Sequence, residues 1–120
     1  PGDGATQRMI RLIGKYAAMR LILTGEPVTA QIAKSLGLVS EVVTHKNCEE
    51  RAIEIASLIA QHSAKALGLA KDAIRSADEL PLSAGLEIER RNIALAFTTS
   101  DQKEGLSAFF EKRPPKFYDN

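Results

Sequence analysis

A glycine-punctuated turn at the start of the chain contains the residues best suited to chemistry. It reads Pro1-Gly2-Asp3-Gly4-Ala5 and runs directly into an apolar stripe with helical spacing. Glycine lets the main chain approach a ligand closely, and a backbone N–H can donate to a reacting oxygen without any side chain. Because loops that bind ligands are normally held by elements on both sides, the turn predicts one edge of a ligand site whose other edge precedes Pro1.

The other reactive side chains are scattered. Cys48 is the only cysteine, which excludes an intrachain disulfide and fits a reducing compartment. His45 and His62 lie far apart, with no carboxylate at the spacing of metal ligands. We therefore predict structural roles for all three residues and no metal site.

Composition and charge narrow the class of protein. The 120 residues are 44% apolar and 26% charged, as in a small globular domain. The sixteen basic residues are mostly interleaved with the fifteen acidic ones, and the net charge is +1, so no nucleic-acid partner is expected. No stretch approaches the roughly 20 apolar residues that span a bilayer, so no membrane span is expected.

The hydrophobic pattern predicts a mainly α fold with about six helices and one short strand. The strand is expected at 38–43, a β-branched run bounded by turn residues. Helix caps are expected at Thr29, Ser63 and Ser100, and Pro81 in the first turn of a helix. Alanine-rich helices with only 5% aromatic residues build a small core. Their apolar faces are expected to meet another domain or subunit.

Three short stretches follow one another in an order that spans the chain. Residues 1–8 read PGDGATQR, residues 24–39 read TGEPVTAQIAKSLGLV, and residues 101–114 contain DQKEG followed by FFEKRP. They are similar to the patterns PGxGGTQR, TGxxxxAxxAxxxGLV and DxxEG…AFxEKRxP. In this order they resemble the C-terminal part of the enoyl-CoA hydratase/isomerase (crotonase) superfamily, most closely its enoyl-CoA hydratases.

The resemblance implies a division of the chain. Residues 1–46 would be the end of an α/β spiral core and carry the glycine turn, and residues 47–120 a helical module that covers coenzyme A and forms trimers. A homo-trimer or a hexamer of two trimers is expected, in the bacterial cytoplasm or the mitochondrial matrix. The N-terminal catalytic core would lie outside this chain.

The resemblance also implies roles for three residues. Gly2 would offer its backbone N–H to the water or substrate oxygen at the reacting carbon. Lys112 would reach the phosphates of coenzyme A, often those bound by a neighbouring subunit, with Arg113 a weaker candidate. Phe109 would line or cover the acyl pocket. Coenzyme A enters as part of the substrate, and no separate cofactor or metal is expected.

The turn departs from the family pattern at two positions. Ala5 replaces the second of two glycines and adds only a methyl group. Asp3 stands where the family usually has a small residue. Its carboxylate is either a solvent-facing loop group or a determinant of substrate choice.

The implied activity is hydration of 2-trans-enoyl-CoA to 3-hydroxyacyl-CoA. The two glutamates that act as acid and base in such hydratases lie before the PGxG turn, so the 120-residue chain alone is expected to be inactive. Enoyl-CoA isomerase or another crotonase activity is an alternative, as is a non-catalytic helical association module.

Overall fold

The computed structural model describes residues 2–117, and this part of the chain is built from helices. Seven are α-helices and one is a short 3-10 helix. In chain order they are α1 (Ala5–Ile13), α2 (Lys15–Thr24), α3 (Ala30–Ser35), the 3-10 helix (His45–Asn47), α4 (Cys48–Ala60), α5 (Ala64–Ala77), α6 (Leu82–Phe97) and α7 (Ser100–Glu111). The mainly α prediction is confirmed.

Two of the predicted helix caps are confirmed. Thr29 Oγ1 accepts the N–H of Ile32 at 3.2 Å, and Ser63 Oγ accepts the N–H of Ala66 at 3.2 Å. Each hydroxyl satisfies an amide of the first helical turn, which has no partner inside the helix. Gly25 ends α2 with a φ of 65°, a left-handed conformation that glycine adopts without steric cost.

Two other helix starts are shifted by one residue from their predicted positions. Thr99, not Ser100, caps α7, and its hydroxyl contacts both α6 and α7. It donates to Ala96 O at 2.7 Å and accepts the N–H of Gln102 at 3.2 Å. Pro81 precedes α6 in an extended conformation, with ψ of 151°, rather than standing in the first turn.

The predicted strand at 38–43 is wrong, since the described residues contain no β-strand. A strand requires a partner for its backbone groups, and here local contacts are made instead. Leu38 donates its N–H to Ala33 O at 2.9 Å, which closes the end of α3. Glu41 accepts two hydrogen bonds from Arg51 of α4, at 2.9 and 3.2 Å. The segment is therefore an irregular connector.

The chain divides into two compact units between Arg51 and Ala52, inside α4. In the first unit, α1 and α2 pack against each other after the break at Gly14, and Ala18 of α2 is fully buried. The functional division predicted at 46/47 stays a prediction, because compactness does not establish which residues cover coenzyme A.

In the second unit, α5 and α6 pack together around a buried amide. Asn92, 4% exposed, donates through Nδ2 to Leu69 O and to Asp72 Oδ2, both at 2.9 Å. Its Oδ1 accepts from Arg91 at 3.2 and 3.3 Å. Ala108 is buried on α7, which contacts α6. A satisfied polar cluster thus fixes the α5–α6 pair.

Many large apolar side chains are exposed on both units. Within residues 2–117 the buried apolar side chains are those of the two alanines named above. The most exposed large apolar side chains include Tyr16, Leu23, Ile74, Leu82, Phe109 and Phe110. The structure thus has the uncovered apolar faces that the sequence predicts.

Candidate functional site

The glycine turn has a defined backbone geometry. Ala5 donates its N–H to Gly2 O at 3.0 Å, and both central residues have positive φ, 51° at Asp3 and 82° at Gly4. These features are those of a type I′ turn, for which an Asp-Gly pair is among the favoured sequences. Asp3 therefore suits the turn, although the family usually has a small residue there.

The side of the turn at Gly2 is open. A Cβ atom added to Gly2 would meet no described atom of the chain within 4 Å. The carbonyl of Gly2 is already used within the turn, whereas the residue itself is exposed. This geometry is compatible with the predicted role of Gly2. That role itself stays a prediction.

Gly4 joins the turn to α1. Its carbonyl accepts the N–H groups of Gln7 and Arg8 at 3.0 and 2.9 Å, so the helix begins directly after the turn. A Cβ on Gly4 would lie 3.3 Å from Arg8 Nε, in a backbone conformation that already disfavours a side chain. The backbone angle therefore favours glycine at this position.

The end of α7 carries the second group of candidate residues. Lys112 ends the helix in the left-handed conformation, with φ of 54° and ψ of 39°. Its N–H donates to Phe109 O at 3.3 Å, and the N–H of Arg113 donates to Ala108 O at 3.0 Å. Asp3 and Lys112 are the two non-glycine residues with positive φ in the described chain. Both lie in stretches that carry the family resemblance.

Arg113 closes this helix end with a group of ion pairs. Its Nη1 and Nη2 meet Glu104 Oε1 and Oε2 at 2.6 and 2.9 Å, and its Nε meets Glu111 Oε2 at 2.6 Å. Glu104 Oε1 also accepts the N–H of Lys116 at 2.8 Å. The hydrogen bonds from Arg113, and then that from Lys116, lower the pKa of Glu104 to about 2. The same carboxylates raise the pKa of Arg113.

The two adjacent cations at this end thus differ in availability. Arg113 is paired with two carboxylates, whereas Lys112 is exposed and forms no ion pair with any residue of 2–117. Phe109 lies one turn before Lys112, is 76% exposed, and meets Phe110 edge-on with ring centroids 5.8 Å apart. The structure therefore brings Phe109 and Lys112 together on the surface of the second unit. Gly2 belongs to the first unit.

The pairing of Glu104 with Arg113 was not predicted from the sequence. The two residues are nine positions apart, beyond the three- and four-residue spacings that make helical ion pairs. They meet only because the chain reverses at Lys112. The one available signal was that both stand in the same family-like stretch, DQKEG…EKRP.

Other kinds of site are not evident in residues 2–117. No three His, Cys, Asp or Glu side chains there are grouped so as to hold a metal ion. Cys48, His45 and His62 are exposed. None of the described helices is long and apolar enough to cross a membrane.

Sequence relatives cover nearly the whole chain. The 2,3-dehydroadipyl-CoA hydratase of Escherichia coli K12 is 47% identical over 117 residues, which are 98% of this chain and 46% of the relative. A probable mitochondrial enoyl-CoA hydratase of Dictyostelium discoideum is 46% identical over 118 residues, covering 98% of this chain and 43% of the relative. The chain thus spans about half the length of these relatives.

Solved structures agree with the sequence relatives. An enoyl-CoA hydratase from Bacillus anthracis superposes with a TM-score of 0.95 at 45% identity, covering 100% of this chain and 46% of that one. Pseudomonas aeruginosa DspI superposes with a TM-score of 0.90 at 36% identity, covering 96% and 44%. The sequence model of the family described as Enoyl-CoA hydratase/isomerase matches residues 1–120. The chain belongs to this family, within the crotonase superfamily.

Proposed function

We propose that this chain is the C-terminal part of an enzyme that adds water to 2-trans-enoyl-CoA and forms 3-hydroxyacyl-CoA. The observation that carries the proposal is the hydrogen-bonded turn at Gly2, in a chain matched by the family along its whole length. The names of the relatives, which include several hydratases, support the same reaction.

The turn suits the chemistry of hydration. Hydroxide adds to the β-carbon of the polarised thioester and a proton goes to the α-carbon. In this proposal the N–H of Gly2 donates to the water or substrate oxygen at the reacting carbon. A backbone donor that is already in position needs no reorganisation during the reaction, and such groups stabilise transition states effectively.

The end of α7 would bind the rest of the substrate. Lys112 is an exposed cation that forms no ion pair with residues 2–117, which suits it to a phosphate of coenzyme A, and Phe109 offers an exposed ring to the acyl group. Coenzyme A arrives with the substrate, so the proposed reaction uses no separate cofactor or metal.

The acid and base of the reaction would come from residues outside the matched half of the relatives. We therefore expect the complete enzyme to hydrate an enoyl-CoA and the isolated 120-residue chain not to do so. The rate at which the ultraviolet absorbance of the enoyl thioester is lost measures hydration by the complete enzyme and by the isolated chain. Turnover by the isolated chain would refute its expected inactivity, and no turnover by the complete enzyme would refute the proposed reaction.

Assembly into a homo-trimer, or a hexamer of two trimers, is part of the proposal. It is supported by the exposed apolar faces, for example the groove of about 320 Å³ between α5 and α6, beside which Ile74 and Ile93 are 71% and 52% exposed. Sedimentation of the complete enzyme is expected to give a trimer or hexamer. A monomer at micromolar concentration would contradict this part. The cellular compartment stays a prediction.

Two alternatives keep specific support. The matched family includes isomerases, so a 3-enoyl-CoA should be offered beside the 2-enoyl-CoA, and conversion between them without hydration would identify an isomerase. The exposed apolar faces also suit a non-catalytic association module. Stable assembly of the complete protein without turnover of either substrate would favour that alternative.

A further inference from the structure

We infer that Arg113 and Glu104 are positioning residues that hold Lys112 in place for a phosphate group of coenzyme A. The inference rests on the proposed function for the identity of the ligand. Its structural basis is the ion-paired turn at the end of α7, formed by residues on both sides of Lys112 along the chain.

The backbone at Lys112 is held in a conformation that lysine rarely adopts. A residue with a Cβ is less stable than glycine in this left-handed conformation. Helices often end on glycine at this position, yet here a long cationic side chain occupies it. Such conformations persist where the surrounding structure fixes them and are frequent at functional sites.

The surrounding contacts that fix it come from Arg113. Its guanidinium links Glu111, directly before Lys112, to Glu104, two turns back along the helix. Glu104 in turn accepts the N–H of Lys116, so the chain after the turn is tied to the same carboxylate. The side chain of Glu104 is only 15% exposed, which shields these bonds from water. Residues before and after Lys112 are thus joined through one carboxylate.

Arg113 itself is poorly suited to bind the phosphate. A guanidinium has five N–H donors, and four hydrogen bonds already leave from it, to Glu104 twice, to Glu111 and to Pro114 O. Its charge is balanced by two carboxylates. The neighbouring Lys112 forms no ion pair with residues 2–117. Arg113 therefore acts through the position of Lys112 rather than by touching the ligand.

Equilibrium binding of coenzyme A to the complete protein tests the inference. Calorimetry compares wild type, Lys112→Ala, Arg113→Ala and the double variant, with pantetheine, which lacks the nucleotide phosphates, as a second ligand. Loss of one charged hydrogen bond to phosphate predicts about tenfold weaker binding of coenzyme A for Lys112→Ala. Arg113→Ala is expected to weaken coenzyme A binding about threefold to tenfold, because Lys112 is then no longer held in place. Neither change should alter pantetheine binding.

The double variant separates positioning from independent binding. If Arg113 acts through Lys112, removing Arg113 from the Lys112→Ala protein should cause no further loss. Arg113→Lys keeps the charge but not the two-point fork, so it should lose affinity as Arg113→Ala does. Arg20→Ala is the matched control, since it also removes an arginine paired with a glutamate, and it should bind coenzyme A as wild type does.

Three results would overturn the inference: multiplicative losses in the double variant, wild-type affinity in Arg113→Lys, or no measurable binding of coenzyme A to the wild type. If Arg113→Ala does not fold, Glu104→Gln replaces it and should show the same dependence on Lys112. Hydration is assayed separately. A protein that binds coenzyme A with the predicted pattern but hydrates no enoyl-CoA would refute the proposed reaction and retain the positioning role.

Discussion

Glu104 and Arg113 face each other in a two-point ion pair, with Oε1–Nη1 and Oε2–Nη2 distances of 2.6 and 2.9 Å, across the left-handed turn that ends α7. This geometry is the strongest form of carboxylate–arginine contact. Of the two adjacent cations in the EKRP stretch, Arg113 is thus paired with carboxylates, whereas Lys112 forms no ion pair with residues 2–117.

The first prediction concerns acid stability. The pKa of Glu104 is lowered from 4.5 to about 2 by Arg113 and Lys116. A lowered folded-state pKa stabilises the fold fully above the unfolded value of 4.5, and the stabilisation is lost as pH falls toward 2. Glu104→Gln should therefore be less stable than wild type at neutral pH, and the difference should shrink between pH 4.5 and pH 2.

Urea midpoints of both proteins across this pH range measure the difference. If the two proteins differ in urea midpoint by the same amount at neutral pH and near pH 2, the charge of Glu104 does not contribute to stability. Arg20→Ala again serves as the control, because its ion pair with Glu26 is exposed and 3.5 Å long. Its midpoint should follow that of wild type throughout.

The second prediction addresses Asp3, for which the sequence left two interpretations. In the structure Asp3 is exposed and has a φ of 51°, so we expect a turn-forming residue facing solvent. Asp3→Asn keeps the tolerance for positive φ and should change stability by less than about 0.5 kcal/mol, whereas Asp3→Val should cost about 1–2 kcal/mol. Denaturant unfolding measures both variants.

The other interpretation, in which the Asp3 carboxylate determines substrate choice, is tested with two substrates. With Asp3→Asn, the ratio of kcat/KM values for a neutral and a carboxylate-bearing enoyl-CoA should equal that of wild type. A shift of tenfold or more in this ratio would show instead that the carboxylate selects the substrate.

The third prediction concerns Gly105, which lies in the middle of α7. A Cβ added there would be 3.7 Å from Cε1 of the Phe117 ring, an ordinary van der Waals contact. Gly105→Ala should therefore stabilise the protein by about 0.5–1 kcal/mol through helix propensity. Gly105→Leu should instead displace Phe117 and lower the thermal midpoint. Thermal unfolding of both variants checks this, and a destabilised alanine variant would mean that the ring lies closer than described.

The fourth prediction tests the polar cluster between α5 and α6. Asn92→Ala removes the buried donor to Leu69 O and Asp72, and should cost about 1–3 kcal/mol. Arg91→Ala removes the exposed neighbour in the same cluster and should cost less than about 1 kcal/mol. Chemical denaturation of each variant measures the loss in free energy of unfolding. Equal losses for the two variants would indicate that burial of the Asn92 amide does not determine its contribution to stability.

Features that depend on neighbouring residues could be predicted from the sequence. The caps at Thr29 and Ser63 and the end of α2 at Gly25 follow from local hydrogen bonding and backbone angle. The shift from Ser100 to Thr99 arises because two adjacent hydroxyls can each cap a helix. In the structure Thr99 is the cap, and its hydroxyl also donates to Ala96 O at the end of α6.

Features that depend on the path of the chain could not be predicted. The strand at 38–43 failed because β-branched residues favour a strand only where a partner strand is available. The site residues Gly2, Phe109 and Lys112 came from the family resemblance. The pairing of Glu104 with Arg113 depends on the left-handed turn at Lys112, which the spacing of the two residues in the sequence does not reveal.

The most direct test of the central claim removes the N–H of Gly2 from the complete enzyme. Proline at this position has no backbone donor, whereas alanine keeps it and meets no described atom of the chain within 4 Å. If this N–H acts at the reacting carbon, Gly2→Pro should lower kcat for enoyl-CoA hydration about 10²-fold, and Gly2→Ala should lower it far less. A folded Gly2→Pro enzyme with the kcat of Gly2→Ala would contradict the claim.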